Sequence, residues 1–195
     1  MSENIKIIAN PSLLQIGFSL SGILFFSSIT FLIYDAEWEI NEKSDSIMMW
    51  IILVLFGAFA LASLFMLLKS KKVILTNETL TISYPLLFYI KNIDFNDVNK
   101  VREDNYNVKS SHDFSTIEVY NGKKITLELF ESKKIVITSF EVTNYKTLSK
   151  NLRNITKSYY KLNIEKDTLK NTQGYGWLIF MLILTFGLII SLIRK

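Results

Sequence analysis

The single histidine of the chain stands in a polar stretch that holds the residue types of a nucleophilic site. In "VKSSHDFST", His112 is followed by Asp113 and preceded by Ser110 and Ser111. A serine nucleophile needs a histidine base and a carboxylate that orients the base, and these groups must converge in space. Adjacency along the chain does not build that geometry. We therefore interpret His112 as a solvated histidine between strands.

Other chemical signatures are also weak. With no cysteine in the chain, disulfides, thiolate metal sites and cysteine nucleophiles are excluded. The stretch "REDNYN" supplies Glu103, Asp104 and Asn105, but it lacks the spacing and the glycine of a calcium loop. There is no glycine-rich phosphate loop and no basic-aromatic interleaving typical of a nucleic-acid stacking platform. We expect a non-enzymatic protein with no cofactor, no metal and no nucleic-acid partner.

Basic residues give the clearest indication of an interaction. Between residues 69 and 176, eighteen Lys and Arg stand against twelve Asp and Glu, whereas the whole chain has a net charge of only +4. Each basic residue near an anionic leaflet contributes about 1 kcal/mol to its attraction. One group directly follows an apolar block and is expected at a membrane surface: Lys69, Lys71 and Lys72. A second group, beside predicted turns, is a candidate patch for lipid headgroups or a protein partner: Lys123, Lys124, Lys133 and Lys134.

Three apolar blocks without a charged residue would anchor these groups. They are Ser12 to Tyr34, Ile47 to Leu68 and Trp177 to Ile193. At about 1.5 Å per residue, the first two form helices of about 33 Å and the third one of about 26 Å, against a hydrocarbon core of about 30 Å. The first block is too long for a signal peptide, so we expect it to be retained. The sequence predicts an integral membrane protein.

The distribution of charge predicts the orientation of the helices. The loop from Asp35 to Ser46 carries five acidic residues and one lysine, whereas three lysines follow the second block. Because basic residues favour the cytoplasmic side, we expect the N terminus and the middle segment in the cytoplasm. Tyr175 and Trp177 suit the headgroup zone at the start of the last helix. That helix either crosses the membrane and ends outside, or it lies in the interface or turns back.

Small residues in the first two blocks predict close helix packing. Gly17 and Ser21 are four residues apart, as are Ala58 and Ala62, and Gly57 adjoins the second pair. This spacing lets two helices approach closely. The two helices either pack against each other or associate with another membrane protein.

After Lys72 the period of the apolar residues becomes that of strands. "VILTNETLTISY" predicts a hairpin that turns at Asn77-Glu78. Asn121-Gly122 predicts a two-residue turn, because both central positions of such a turn need a positive φ. Glu131-Ser132 predicts a further turn between two strands.

A helix is predicted after the last strand. "VTNYKTLSKNLRNITKSYYK" places apolar residues at spacings of three and four, which indicates one apolar stripe. Thr143 or Asn144 is suited to cap its start. Six or seven strands followed by one amphipathic helix predict a curved sheet closed by a helix at one end.

This order resembles the bacterial pleckstrin-homology-like (PH-like) domain of small multi-pass membrane proteins. The matching stretches are "KKVILTNETLTI", "IDFNDVNKV" and "KKIVITSFEVTNYKTLSKNLRNI", and the resemblance covers roughly Lys72 to Lys157. The resemblance implies an α+β membrane protein with a transmembrane hairpin and a PH-like antiparallel sheet or barrel, and it implies little about activity. The expected organisation is a hairpin at 1–71 (helices at about 12–34 and 47–68), the PH-like domain at 72–160, a linker at 161–176 and a final transmembrane helix at 177–195.

Three functions fit these features. The first is a non-enzymatic scaffold or accessory subunit of the bacterial cytoplasmic (inner) membrane, whose cytoplasmic domain binds a membrane protein, a membrane-proximal protein or a second copy of the chain. The second is a sensor of anionic lipid that uses the four lysines near the predicted turns. The third is an immunity or resistance protein against an envelope-directed toxin, which the small size and the anchor permit.

Overall fold

The structure is a computed structural model that describes residues 6–35, 43–112, 115–156, 159–161 and 172–194. Most of the predicted linker 161–176, most of the acidic loop and Asp113 lie outside these residues. The described chain is an α+β protein that forms two compact units. The extramembrane unit contains the described residues up to Gln15 and those from Lys69 to Tyr175, and the helical unit contains the others.

Three helices are long and apolar enough to cross a membrane, as the sequence predicts. They are α1 (Leu13–Asp35), α2 (Lys43–Leu68) and, after a shorter helix α3 (Tyr145–Ile155), α4 (Thr172–Ile193). Charged side chains are absent from their centres, so they suit a hydrocarbon environment. These helices fit a membrane protein.

Within the helical unit, the helices make close contacts at glycine residues and between aromatic side chains. The ring of Phe26 in α1 lies 5.2 Å from that of Phe59 in α2. A Cβ on Gly22 would come 2.5 Å from the Ser63 hydroxyl, and one on Gly17 would come 2.8 Å from Leu178 of α4. Gly17 therefore packs against the last helix.

The other predicted packing residues differ in their exposure. Ser21 is buried in α1. Ala58 and Ala62 are exposed, and Gly57 has no neighbouring atom within 4 Å of its would-be Cβ among the described residues. The small-residue face of α2 is thus not used for packing inside this unit, and its association with another protein stays a prediction.

The first sheet has four antiparallel strands in the order β1-β2-β3-β4. They are β1 (Ile7–Ala9), β2 (Lys72–Leu75), β3 (Thr79–Tyr84) and β4 (Tyr89–Asp94). The predicted hairpin around Asn77-Glu78 is confirmed, and the Thr76 hydroxyl closes it by accepting the Thr79 amide at 3.0 Å.

Strand β1 changes the expected domain boundary. We expect residues 1–71 to form only the transmembrane hairpin, but Ile7 pairs with Leu75 and Ala9 with Val73. The Thr143 amide also donates to the Asn10 carbonyl at 2.8 Å. The residues directly before α1 and those after α2 therefore belong to one sheet.

The second sheet has the order β7-β6-β5-β8. Its strands are β5 (Val98–His112), β6 (Ser115–Leu129), β7 (Lys134–Thr138) and β8 (Tyr159–Lys161), and all pairs are antiparallel except β5 with β8. The predicted turn at Glu131-Ser132 is confirmed, with Ser132 at a φ of 62°.

The predicted turn at Asn121-Gly122 is wrong. Strand β6 runs through both residues, and Gly122 pairs with Tyr106 of β5. No glycine among the described residues has a positive φ. Side chains of Tyr120 and Ser139 occupy the space that a Cβ on Gly122 would need.

Helix α3 closes the core of the extramembrane unit. It buries Tyr145, Leu148, Ser149 and Leu152 against apolar residues of both sheets. The expected side-chain cap is wrong, because Asn144 has the left-handed conformation and makes no capping bond with its side chain. The Thr143 hydroxyl instead accepts the Asn10 amide at 3.1 Å.

Candidate functional site

A pocket of about 410 Å³ lies in the extramembrane unit, and its lining starts at the first residue after α2. Three segments that are distant in sequence (69–71, 84–91 and Glu141) converge here because of the strand pairing of the first sheet and the loop after β7. We call it the lysine–tyrosine pocket. Its lining consists of Lys69, Lys71, Tyr84, Leu87, Tyr89, Lys91 and Glu141.

Lys71 has a structural role in this pocket. It is buried, and its ammonium lies 3.0 Å from Glu141 Oε2 and donates to the carbonyl of Val136 at 2.7 Å. The same carboxylate oxygen accepts the backbone amide of Thr138 at 3.0 Å. Lys71 therefore joins the chain before β2 to the end of β7, and its charge is balanced by Glu141.

The rest of the lining is basic and aromatic. The pocket contains three ammonium groups and one carboxylate. Lys91 is half-buried in β4 and forms no ion pair with any residue that the structure describes. The rings of Tyr84 and Tyr89 lie 5.9 Å apart at an angle of 31°. Such a pocket attracts an anion and offers hydroxyl groups to bind it.

An exposed apolar turn adjoins the pocket. We call Leu86–Ile90 the apolar turn, because all five of its side chains are large, apolar or aromatic, and exposed. Phe88 is 97% exposed and has a φ of 50°, and its amide donates to the Pro85 carbonyl at 3.4 Å. Contiguous apolar exposure of this kind marks a surface that contacts a membrane or another protein.

The structure does not bring the four lysines of the predicted patch together. Lys123 and Lys124 are successive residues in the middle of β6, so their side chains leave opposite faces of the sheet. Lys133 lies 2.7 Å from Glu131 at the following turn, and Lys134 lies 3.4 Å from Glu128. Carboxylates therefore accompany both lysines of that turn.

The residues predicted at the membrane surface lie at two places in the chain, at the junction of α2 with β2 and near the start of α4. Lys69 and Lys71 line the pocket, and Lys72 is the first residue of β2. Tyr175 is partly exposed near the start of α4. Trp177 packs edge-on against Phe180, with ring centroids 5.9 Å apart.

The acidic residues considered for metal binding have structural partners. Glu103 is buried and accepts hydrogen bonds from Ser149 at 2.8 Å and Tyr145 at 3.4 Å, which fastens α3 to β5. Asp104 pairs with Arg102 at 3.0 Å. Among the described residues, no three His, Cys, Asp or Glu side chains lie close enough to hold a metal ion.

No family model matches this chain. No curated protein matches it significantly either. The resemblance to the PH-like domain therefore rests on the apolar pattern of the sequence. Sequence reasoning missed Tyr84, Tyr89, Lys91 and Glu141, although "YPLLFYIK" held a signal: an apolar run that begins with proline directly after a strand.

Three tyrosines of the extramembrane unit predict a loss of stability at alkaline pH. Burial is the main cause that raises the pKa of Tyr84, Tyr106 and Tyr120, and the Glu141 carboxylate adds to it for the first two. A raised pKa means that the phenol ionises more readily in the unfolded chain. The contribution of these phenols to the free energy of unfolding should thus be fully present below the ordinary pKa of about 10.0. It should be lost as the pH rises from there through the raised folded pKa.

Denaturant unfolding of the wild type and Tyr120→Phe between pH 8 and pH 11 checks this expectation. The variant lacks one of the phenols, so its free energy of unfolding should decline less steeply above pH 10 than that of the wild type. Below pH 9 the two proteins should differ by a constant amount. Equal slopes above pH 10 would show that burial of Tyr120 does not affect its ionisation.

Proposed function

We propose that this protein is a non-enzymatic scaffold or accessory subunit of a bacterial cytoplasmic membrane. Its extramembrane unit is a PH-like domain that lies in the cytoplasm and binds an extended segment of a membrane-associated protein. Three long apolar helices support the anchoring in a membrane. Lys69 and Lys71, which follow α2, support the cytoplasmic orientation. The observation that carries the binding function is the open edge of β4.

The outer side of β4 is not paired with any strand that the structure describes. The ladder with β3 shows which amides point outward. Phe95 lies opposite Glu78, and its amide donates to the Glu78 carbonyl at 3.0 Å, so the Phe95 amide points towards β3. In an antiparallel ladder, residue pairs that are hydrogen-bonded to each other alternate with pairs that are not, so every second amide of β4 points away from β3. With the register Thr81↔Asn92, the amides of Ile90, Asn92 and Asp94 therefore point away from β3.

These outward amides can add a strand from a partner. An exposed edge presents unpaired donors and acceptors that an extended peptide can satisfy. At one end the edge is blunted, because the Asp94 side chain accepts the Asn96 amide at 2.8 Å. The open section therefore centres on Ile90 to Asn92. It contains Lys91, which lines the same pocket as Lys69.

Asn92→Pro tests this proposal, since proline removes an outward amide and leaves the bonds to β3 in place. The full chain, expressed at native level and crosslinked, is purified in a mild detergent and its partners are quantified by mass spectrometry. We expect a stoichiometric membrane-associated protein with the wild type and with Asn92→Ala. Recovery should fall at least tenfold with Asn92→Pro, which corresponds to about 1.4 kcal/mol.

Two results would contradict the proposal. Equal recovery with Asn92→Pro and Asn92→Ala would exclude the β4 edge as the binding surface. Purification of the wild type alone or only with copies of itself would exclude an accessory subunit that binds another protein. Thermal unfolding of both variants ensures that a lost partner does not reflect a lost fold.

A further inference from the structure

We infer that the lysine–tyrosine pocket and the apolar turn together form a binding site for an anionic phospholipid. The pocket receives the phosphate of the headgroup, and the apolar turn inserts between the acyl chains. The site goes beyond the proposed partner function, because it uses side chains of the pocket and not the outward amides of β4.

The chemistry of the pocket suits a phosphate group. Lysine binds phosphate as a compact point charge with three donors, and the tyrosine hydroxyls supply neutral donors. The carboxylate of Glu141 already accepts from Lys71 and Thr138, so its charge is balanced within the domain. Lys91, which has no carboxylate partner among the described residues, is the lysine that we expect to contact the phosphate.

The apolar turn supplies the second half of the site. Leu87 and Tyr89 line the pocket, and Phe88 stands between them in sequence with its ring 97% exposed. Water surrounds this ring, so its transfer into the acyl region is favourable. A single phospholipid carries a phosphate and acyl chains, and it matches both the basic and the apolar half.

Sequence adjacency favours a membrane lipid over a soluble phosphate. Lys69 lines the pocket and directly follows Leu68, the last residue of the candidate span α2. A lysine at the end of a span stands where phospholipid headgroups are concentrated. A soluble phosphate would occupy the pocket and leave the five exposed side chains of the apolar turn in water.

Insertion of the turn can be measured because the chain has no cysteine. The full-length Phe88→Cys variant is labelled with an environment-sensitive nitrobenzoxadiazole dye and reconstituted into nanodiscs. We expect a blue-shifted emission in discs that contain phosphatidylglycerol and a smaller shift in discs of phosphatidylcholine alone. Phe130→Cys is the matched control, because Phe130 is also an exposed phenylalanine in a turn, at 68% exposure.

The Phe130 dye should report water in both kinds of disc. If the Phe88 dye also reports water in anionic discs, the turn does not insert and the proposal is overturned. An equal blue shift in both kinds of disc would remove the preference for anionic lipid and would overturn the headgroup part of the proposal.

The pocket is tested by titrating the detergent-solubilised full chain with phosphatidylglycerol and counting bound lipids by native mass spectrometry. We expect Lys91→Glu to weaken the tightest site at least tenfold. Lys150→Glu, an equal charge change at an exposed position of α3, should leave that site unchanged. Phe88→Ser should weaken it as well.

Inorganic phosphate separates the two sources of the anion. Displacement of the lipid by millimolar phosphate, together with unchanged binding by Phe88→Ser, would identify a soluble-anion site and overturn the lipid proposal. Equal lipid binding by the wild type and Lys91→Glu would overturn it too. Asn92→Pro should bind lipid normally, so failure of the partner proposal and failure of the lipid proposal give different results.

Discussion

Gly122→Val should lower the free energy of unfolding of the extramembrane unit by about 3 kcal/mol, through overpacking and a broken buried hydrogen bond. A Cβ at this position would stand 2.5 Å from Tyr120 Cε1 and would also meet the hydroxyl of Ser139. Tyr120 is buried, and its hydroxyl lies 2.8 Å from that of Ser139. The Ser139 hydroxyl also accepts the Lys123 amide at 2.9 Å, so none of these groups can move independently.

No tryptophan lies between residues 51 and 176, so tryptophan fluorescence does not report on this unit. Near-UV circular dichroism of its tyrosines during denaturant unfolding measures the effect instead. Gly122→Ala should give an intermediate loss. Gly176→Ala is the control, because nothing lies within 4 Å of a Cβ there and alanine favours a helix. A loss below about 0.5 kcal/mol for Gly122→Val would mean that Tyr120 and Ser139 are not packed as described.

Leu148→Ala should cost about 2–5 kcal/mol, the range for removing a large buried side chain from a core. Leu148 is 0% exposed and belongs to the cluster that joins α3 to both sheets. The cavity would form where the helix closes the core, next to Leu152 and Tyr145. Lys150→Ala on the exposed side of α3 should change stability by less than about 0.5 kcal/mol.

Hydrogen exchange distinguishes a core helix from a peripheral one. If α3 belongs to the core, Leu148→Ala should raise exchange in β2, β3, β6 and α3 together, because these elements share the cluster. Faster exchange confined to α3, with the strands unchanged, would show that the helix opens independently of the sheets and does not close them.

The elements that follow from short-range patterns are the ones that the sequence predicts well. The β2–β3 hairpin needs only alternating apolar residues and a polar turn, and α3 needs only apolar spacings of three and four. The turn at Asn121-Gly122 fails for a physical reason. A glycine needed for a tight turn and a glycine needed because Tyr120 and Ser139 crowd its Cα look the same in sequence.

The candidate site is harder to predict because it depends on long-range pairing. Lys69 and Lys71 are expected near a membrane from the block that precedes them, and both line the pocket. Lys91 and Glu141 reach it only through the β3–β4 register and the loop after β7, which short-range periodicity does not specify. For the same reason the lysines of β6 appear beside a turn in sequence, although they lie in mid-strand.

Strand β1 has a consequence for how the protein is made. The ribosome releases β1 before α1, but its partner β2 emerges only after α2, so this pairing must wait until both helices have been synthesised and have brought the chain back. A nascent chain whose helices insert wrongly keeps β2 without its neighbour, with an uncovered edge that invites aggregation and proteolysis. Completion of the first sheet therefore depends on the prior synthesis of both helices.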